Sequence, residues 1–311
     1  MDAFCSMRAV VFLMATGLWG GFEPAGAEEP ARLTIGPAVE SGRVEIAWPS
    51  RPDHIHTLLA TEGPEAAELV DARLVPDGPG EVTRTDVAVQ PEAVARFFRL
   101  RTRAMTPVVM DDFDRAEEGP QPPGIPPLGN PWTVIGLGGA LPGRHAVVEN
   151  GDCYVDLVGL GGVTYLCQEL TVPPCLLEAD FRWEPYPDTG LEGTLVMACG
   201  PGNQPNWIYR LVHVRIIRTA VFLDFMDSGV LTNHATSEIP QLALQQTHNC
   251  RVYIDPEAQV VLVVLNGQPV LSYRHEAVAR LGGRFVFWEH YYNRGGGEAR
   301  LHIERVLAAV P

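Results

Sequence analysis

Seven consecutive residues, Glu178-Ala-Asp-Phe-Arg-Trp-Glu184, alternate charged and apolar side chains. On a β-strand, a period of two puts Glu178, Asp180, Arg182 and Glu184 on one face and Leu177, Ala179, Phe181 and Trp183 on the other. Three acids on one face invite two-carboxylate chemistry: retaining glycoside hydrolysis needs two carboxyl groups about 5–5.5 Å apart. An unbroken strand rising about 3.3 Å per residue separates the backbones of Glu178 and Glu184 by about 20 Å, too far for that role. Glu178 and Asp180 are closer, but Arg182 stands beside them to pair with them. The competing reading is an ordinary strand with one polar face.

Two further groups have the side chains for a site. Trp207, Tyr209, Trp288, Tyr291 and Tyr292 could offer flat faces to sugar rings, with His213 and His290 adding hydrogen bonds. The Gly-rich stretch after Tyr292 has the composition of a loop that rims a binding face. Core packing is the competing use of every one of these aromatics. Asp111, Asp112 and Asp114 form an oxygen-rich cluster, but Ca²⁺ takes six to eight oxygens, usually from more than one segment. Asp152 or Asp255 could complete such a set, although nothing in the sequence links them.

Other chemistries are excluded by residue type. All 23 basic residues are arginine, so no lysine exists for a Schiff base or a phosphate-binding P-loop. There is no Gly-x-Ser-x-Gly, no His-x-x-x-His and no Cys-x-x-Cys. The formal charge of −15 repels phosphate backbones, and no basic stripe offsets it, so nucleic acid is a poor partner.

The elements that must position these residues begin after residue 27. Arg8, the apolar run Ala9–Trp19 and Ala25-Gly-Ala27 follow the n-region, h-region and small-x-small pattern of a secretory signal. That run is about half of the roughly 20 residues a spanning helix needs, and no later stretch is long enough. The expectation is a secreted, periplasmic or surface protein with no membrane span in its mature chain. Loss of Asp2, Arg8 and Glu23 with the signal takes the charge from −15 to −14. Export admits disulfides. A hairpin centred on Leu160 would bring Cys153 and Cys167 face to face, the best candidate pair among five late cysteines. An odd count leaves at least one thiol unpaired or pairing between chains, and buried thiols are the competing reading.

Between 30 and 105, short alternating runs such as Arg43–Trp48 and Arg96–Arg101 are broken by Pro, Gly and Asp, which predicts a small β-sandwich. Its ending, ARFFRLRTR, resembles the last strand of fibronectin-type-III-like modules of bacterial surface proteins. From 107 to 311 about a dozen strand-length runs and almost no helix predict a two-sheet jelly roll. Asn266-Gly267 between two runs signals a type I′ hairpin, and 276–281 is the one helix-like patch.

This segment resembles concanavalin-A-like (laminin-G-like) lectin and glucanase domains. The residues that carry the likeness are the opening Asp112-Phe-Asp-Arg115, the Leu128-Gly-Asn-Pro-Trp132 turn and the late meander through Asn266-Gly267. The loop between the first two is longer than the family's. Glycosidases of this fold carry Glu-x-Asp-x-x-Glu or a form one residue shorter, whereas this chain has one residue more between Asp180 and Glu184. The resemblance implies carbohydrate as the ligand class, a polysaccharide or cell-surface glycan, and admits a structural calcium. The leading expectation is a non-catalytic glycan-binding or adhesive protein acting through the jelly roll. The alternatives are a glycoside hydrolase using Glu178, Asp180 or Glu184, and a purely structural surface module.

Overall fold

A computed structural model describes residues 10–13, 34–35, 43–49, 54–61, 67–71, 82–88, 95–115, 124–137, 146–155, 163–187, 191–202, 211–227, 230–294 and 298–311. The chain divides into two compact units, Met1–Ala104 and Met105–Pro311. Both are built from strands, so the protein is all-β.

The first unit contains β1 (Val10–Leu13), β2 (Thr34–Ile35), β3 (Arg43–Pro49), β4 (His54–Thr61), β5 (Ala67–Asp71), β6 (Val82–Ala88) and β7 (Ala95–Ala104). They form a four-stranded sheet, β1-β7-β4-β5, and a three-stranded sheet, β2-β3-β6. Alternation along β3 buries Ile46 and Trp48, while Leu58 and Phe98 are buried on the other sheet. The Trp48 and His56 rings meet at 6.4 Å between the two. β1 lies inside the apolar run Ala9–Trp19 and pairs in parallel with Ala95–Phe98.

The second unit runs β8 (Thr106–Asp111), β9 (Thr133–Leu137), β10 (Ala146–Glu149), β11 (Asp152–Val155), β12 (Val163–Glu169), β13 (Leu176–Pro185), β14 (Leu191–Gly200) and β15 (Leu211–Ile217). It continues with β16 (Ala220–Asp227), β17 (Val230–Glu238), β18 (His248–Asp255), β19 (Val260–Leu265), β20 (Gln268–Arg274), β21 (Phe285–Arg294) and β22 (Ala299–Val310). Among the described residues the one helical element is a 3-10 turn at Glu276–Ala279. No helix among them is long and apolar enough to cross a membrane.

Two layers make a jelly-roll sandwich. One follows β17-β16-β15-β14-β21-β12-β9. The other follows β20-β19-β18-β13-β22-β8, with the β10–β11 hairpin docked on β22. Among the described residues one ladder pair links the layers, Glu192↔Ala299. Next to it stands Gly193, where a Cβ would lie 2.6 Å from Leu301 Cβ, so only glycine admits the approach.

The expected alternation of β13 holds: Leu177, Ala179, Phe181 and Trp183 join Leu195, Met197, Val214 and Trp288 in the core between the layers. Two indole N–H groups are satisfied there, Trp183 Nε1 by Gly193 O at 2.7 Å and Trp288 Nε1 by Glu178 O at 3.1 Å. The Asn-Gly turn also forms as expected. Leu265 pairs with Gln268, and both central residues take positive φ, 51° at Asn266 and 78° at Gly267.

The expected Cys153–Cys167 hairpin does not form. β11 pairs with β10 and β22, whereas β12 pairs with β9 and β21, so the two cysteines stand in different layers. Cys153 lies in the core between the layers, and Cys167 belongs to a separate apolar cluster with Val196, Ala198, Met226 and Phe287. All five late cysteines are buried and none forms a disulfide. Burial pushes the Cys167 and Cys199 thiols up to about 12 and those of Cys153 and Cys250 higher, which leaves them inert apolar side chains.

Candidate functional site

The polar face of β13 carries two separate ion-pair networks. In the first, Asn249 on β18 donates from Nδ2 to Glu178 Oε1 at 2.8 Å and to Asp180 Oδ1 at 2.6 Å. Arg305 on β22 donates from Nη2 to Glu178 Oε1 and from Nε to Asp180 Oδ2, both at 2.7 Å. Arg251 approaches Glu178 at 3.2 Å. Glu178 and Asp180 therefore converge, but on a guanidinium that lies between them.

The second network surrounds Arg182, which pairs with Asp152, Glu184 and Glu304. His302 on β22 is buried between Asp152, 3.4 Å from Nδ1, and Glu184, 3.2 Å from Nε2. A register shift between Asp180 and Phe181 leaves Glu304 as an extra residue on β22. The candidate acids Glu178 and Glu184 thus stand in different networks, each closed by arginine.

The other layer carries a third constellation. Asp224 on β16 accepts from Arg215 Nε at 2.5 Å and from Asn233 Nδ2 at 2.9 Å, with His213 Nδ1 at 3.4 Å. Burial alone would raise its carboxyl pKa. The hydrogen bonds from His213, Arg215 and Asn233, with the charge of Arg215, outweigh that and bring it down to about 2. His213, expected at a sugar site, is thereby placed beside a carboxylate on β15.

The fourth feature went unread in the sequence. β17 and β20 lie at opposite ends of the strand path, and closure of the sandwich packs them together. At this seam Phe225 (β16) is buried, and His234 (β17), Tyr273 (β20) and His275 lie half-buried around it. The Phe225–His234 centroids are 4.4 Å apart and those of His234–His275 5.2 Å. The Tyr273 and His275 rings are nearly parallel, with centroids 5.9 Å apart and planes at 14°.

His275 caps the 3-10 turn, its Nδ1 accepting the Ala277 N–H at 3.1 Å. In the neutral ring the proton therefore sits on Nε2, which makes that nitrogen a donor and not a metal ligand. His234 Nδ1 is 3.4 Å from the Tyr273 hydroxyl. Burial and the neighbouring His275 lower the pKa of His234, against a smaller opposite pull from Asp224. The seam thus presents three flat rings and a fixed hydrogen-bond donor.

The remaining expected residues fall as follows. Trp288 is a core residue and offers no face to a ligand, because its strand position points between the layers. Trp207 and Tyr209 lie outside the described residues. His290 and Tyr292 are placed as backbone in β21, opposite Thr164 and Gly193 respectively. Asp111 is fully buried and committed to protein donors, namely both Arg115 terminal nitrogens, Trp132 Nε1 at 2.6 Å and the Phe113 N–H at 2.9 Å. Asp112 caps Asp114 N at 3.2 Å. Asp111 therefore fastens the Trp132 turn. Among the described residues no group of three or more His, Cys, Asp or Glu could hold a metal ion.

No protein-family model matches the chain, and no curated protein does. Solved structures with similar folds include the potassium-bound carbohydrate recognition domain of Emp46p, at 10% identity and TM-score 0.40, covering 57% of this chain and 87% of that one. They also include a Bacillus licheniformis β-glucanase, at 11% and 0.43, covering 65% and 97%. A third is a Bacillus subtilis protein of unknown function with a galectin-like fold, at 12% and 0.41, covering 58% and 90%. Likeness this remote carries nothing about ligand or reaction.

Proposed function

We propose that this is an exported, non-catalytic carbohydrate-binding protein whose second unit meets a glycan at the β17–β20 seam. The observation that carries the reading is the half-exposed group His234, Tyr273 and His275, with two of its rings nearly parallel. Such rings pack against the C–H faces of a sugar, while the Nε2–H of His275 and the Tyr273 hydroxyl supply directional bonds to its hydroxyls. The closed state of the acids favours binding over cleavage. Glu178 and Asp180 share Arg305 and Asn249, and Glu184 shares Arg182. The first unit, in this reading, is a fibronectin-type-III-like spacer at the cell surface, in the periplasm or outside the cell.

Binding of the full-length protein to plant, algal and bacterial polysaccharides by affinity electrophoresis tests the reading. At least one neutral polysaccharide should retard the wild type, and Tyr273→Ala should lose that retardation while keeping its thermal melt. Uniform mobility across all polysaccharides, or retardation unaffected by Tyr273→Ala, overturns it.

A further inference from the structure

Arg300 differs from five other arginines of the second unit. Arg115, Arg182, Arg215, Arg251 and Arg305 each face a carboxylate. Arg300 has aromatic neighbours instead: its guanidinium carbon is 4.1 Å from the Tyr186 ring centroid and 5.0 Å from that of Tyr154. Its Nε is buried without a hydrogen-bond partner. No acceptor or carboxylate among the described residues pairs with it.

Strand geometry makes this more telling. Glu184 lies directly opposite Arg300 in the β13–β22 ladder, where an opposite-charge pair would normally form. Its carboxylate turns instead to Arg182 and His302. Glu149 accepts the hydroxyl of the neighbouring Tyr154 at 2.6 Å. Among the described residues the guanidinium is therefore packed against tyrosine rings and has no oxygen partner. A guanidinium so stacked has little freedom left to lose on binding, and its planar fork matches a carboxylate bidentately.

We propose that Arg300, between Tyr154 and Tyr186, is a carboxylate-recognition subsite for a saccharide bearing an isolated acid group, such as a uronic acid residue. It goes beyond the seam reading, since it uses β11, the residue after β13 and β22, and none of the seam residues. The charge around it narrows the ligand class. Asp152, Glu184 and Glu304 face one arginine, Arg182, together with His302, and the whole chain carries −15. That field repels a densely charged polyanion. A single carboxylate with a neutral sugar body meets the fork at contact while long-range repulsion is screened beyond about 8 Å at physiological ionic strength. The tyrosine edges beside the fork give the sugar body an apolar surface to rest on.

Titration of the full-length protein with D-glucuronate, D-glucose and acetate at physiological ionic strength, followed by NMR or calorimetry, tests the assignment. Glucuronate should bind at least tenfold more tightly than either control. Arg300→Lys keeps the charge but loses the planar fork, and should weaken glucuronate tenfold or more with an unchanged melt. Glu184→Gln, which removes the negative charge opposite Arg300 in the ladder, should leave glucuronate binding intact or tighter. Tyr273→Ala should not alter it, so failure here and failure at the seam are separable. Acetate binding as tightly as glucuronate, no glucuronate binding, or wild-type affinity in Arg300→Lys each overturns the proposal.

Discussion

The outer face of β13 and the seam between β17 and β20 gather polar side chains by opposite routes. On β13, residues two apart in one strand share a face and meet partners from adjacent strands, producing dense networks in which every acid has an arginine. At the seam, Tyr273 of β20 and His275 meet the paired strands β16 and β17 only because the two layers close on one another, and what gathers over buried Phe225 is aromatic, half-exposed and free of ion pairs among its rings. The first arrangement satisfies charge internally and has little left for a ligand. The second leaves flat faces and a donor available.

The strongest challenge to this contrast is Arg305→Ala. It removes the cation shared by buried Glu178 and half-buried Asp180, and breaking a pair partly open to solvent costs at most about 3 kcal/mol. Urea denaturation should report a loss of that order; a loss near zero would mean that the β13 face is held by something other than these pairs.

Asp224 is the next lever, because its bond to Asn233 ties β16 to seam strand β17. Its folded pKa, about 2, lies below its ordinary value of 3.8. Its contribution to stability is therefore present above about pH 4 and lost as pH falls toward 2. Asp224→Asn should be less stable than wild type by about 2 kcal/mol at pH 6, with the gap closing by pH 2. A gap that persists at pH 2 would refute the ion-pair account.

Two smaller effects belong to the seam itself. Tyr273→Ala should weaken glycan binding about tenfold, or about 1.4 kcal/mol, without a matching loss of stability. His275→Ala should cost about 0.5–1 kcal/mol of stability by removing the cap on Ala277 N, readable as a small drop in the denaturation midpoint. Equal stability losses for both variants would make the seam ordinary packing.

Much of the β13 face was legible because its signal is local. Glu178 to Glu184 alternate within seven residues, and the strand kept that alternation on its apolar side through Trp183. The convergence of Asp180 on Arg305 and of Glu184 on His302 was not legible, since it depends on which strand lies alongside and on the extra residue at Glu304. Trp288 was misjudged for a related reason: an aromatic on a strand carries no mark of which face meets the second layer. Cys153 and Cys167 looked like hairpin partners because they are near in sequence, yet their strands entered different layers.

Sequence alone determined the local terms of this protein: all-β content, the period-two faces, and the positive-φ turn at Asn266-Gly267. It also carried the acidic, lysine-free composition. Each follows from sterics and solvation acting over a few residues. Tertiary structure alone decided that Phe225, His234, Tyr273 and His275 share one surface, and that Glu184 turns from Arg300 toward Arg182 and His302. Those outcomes depend on long-range strand pairing and on competition among charges brought together by it. A one-dimensional pattern does not encode that competition until the two layers close.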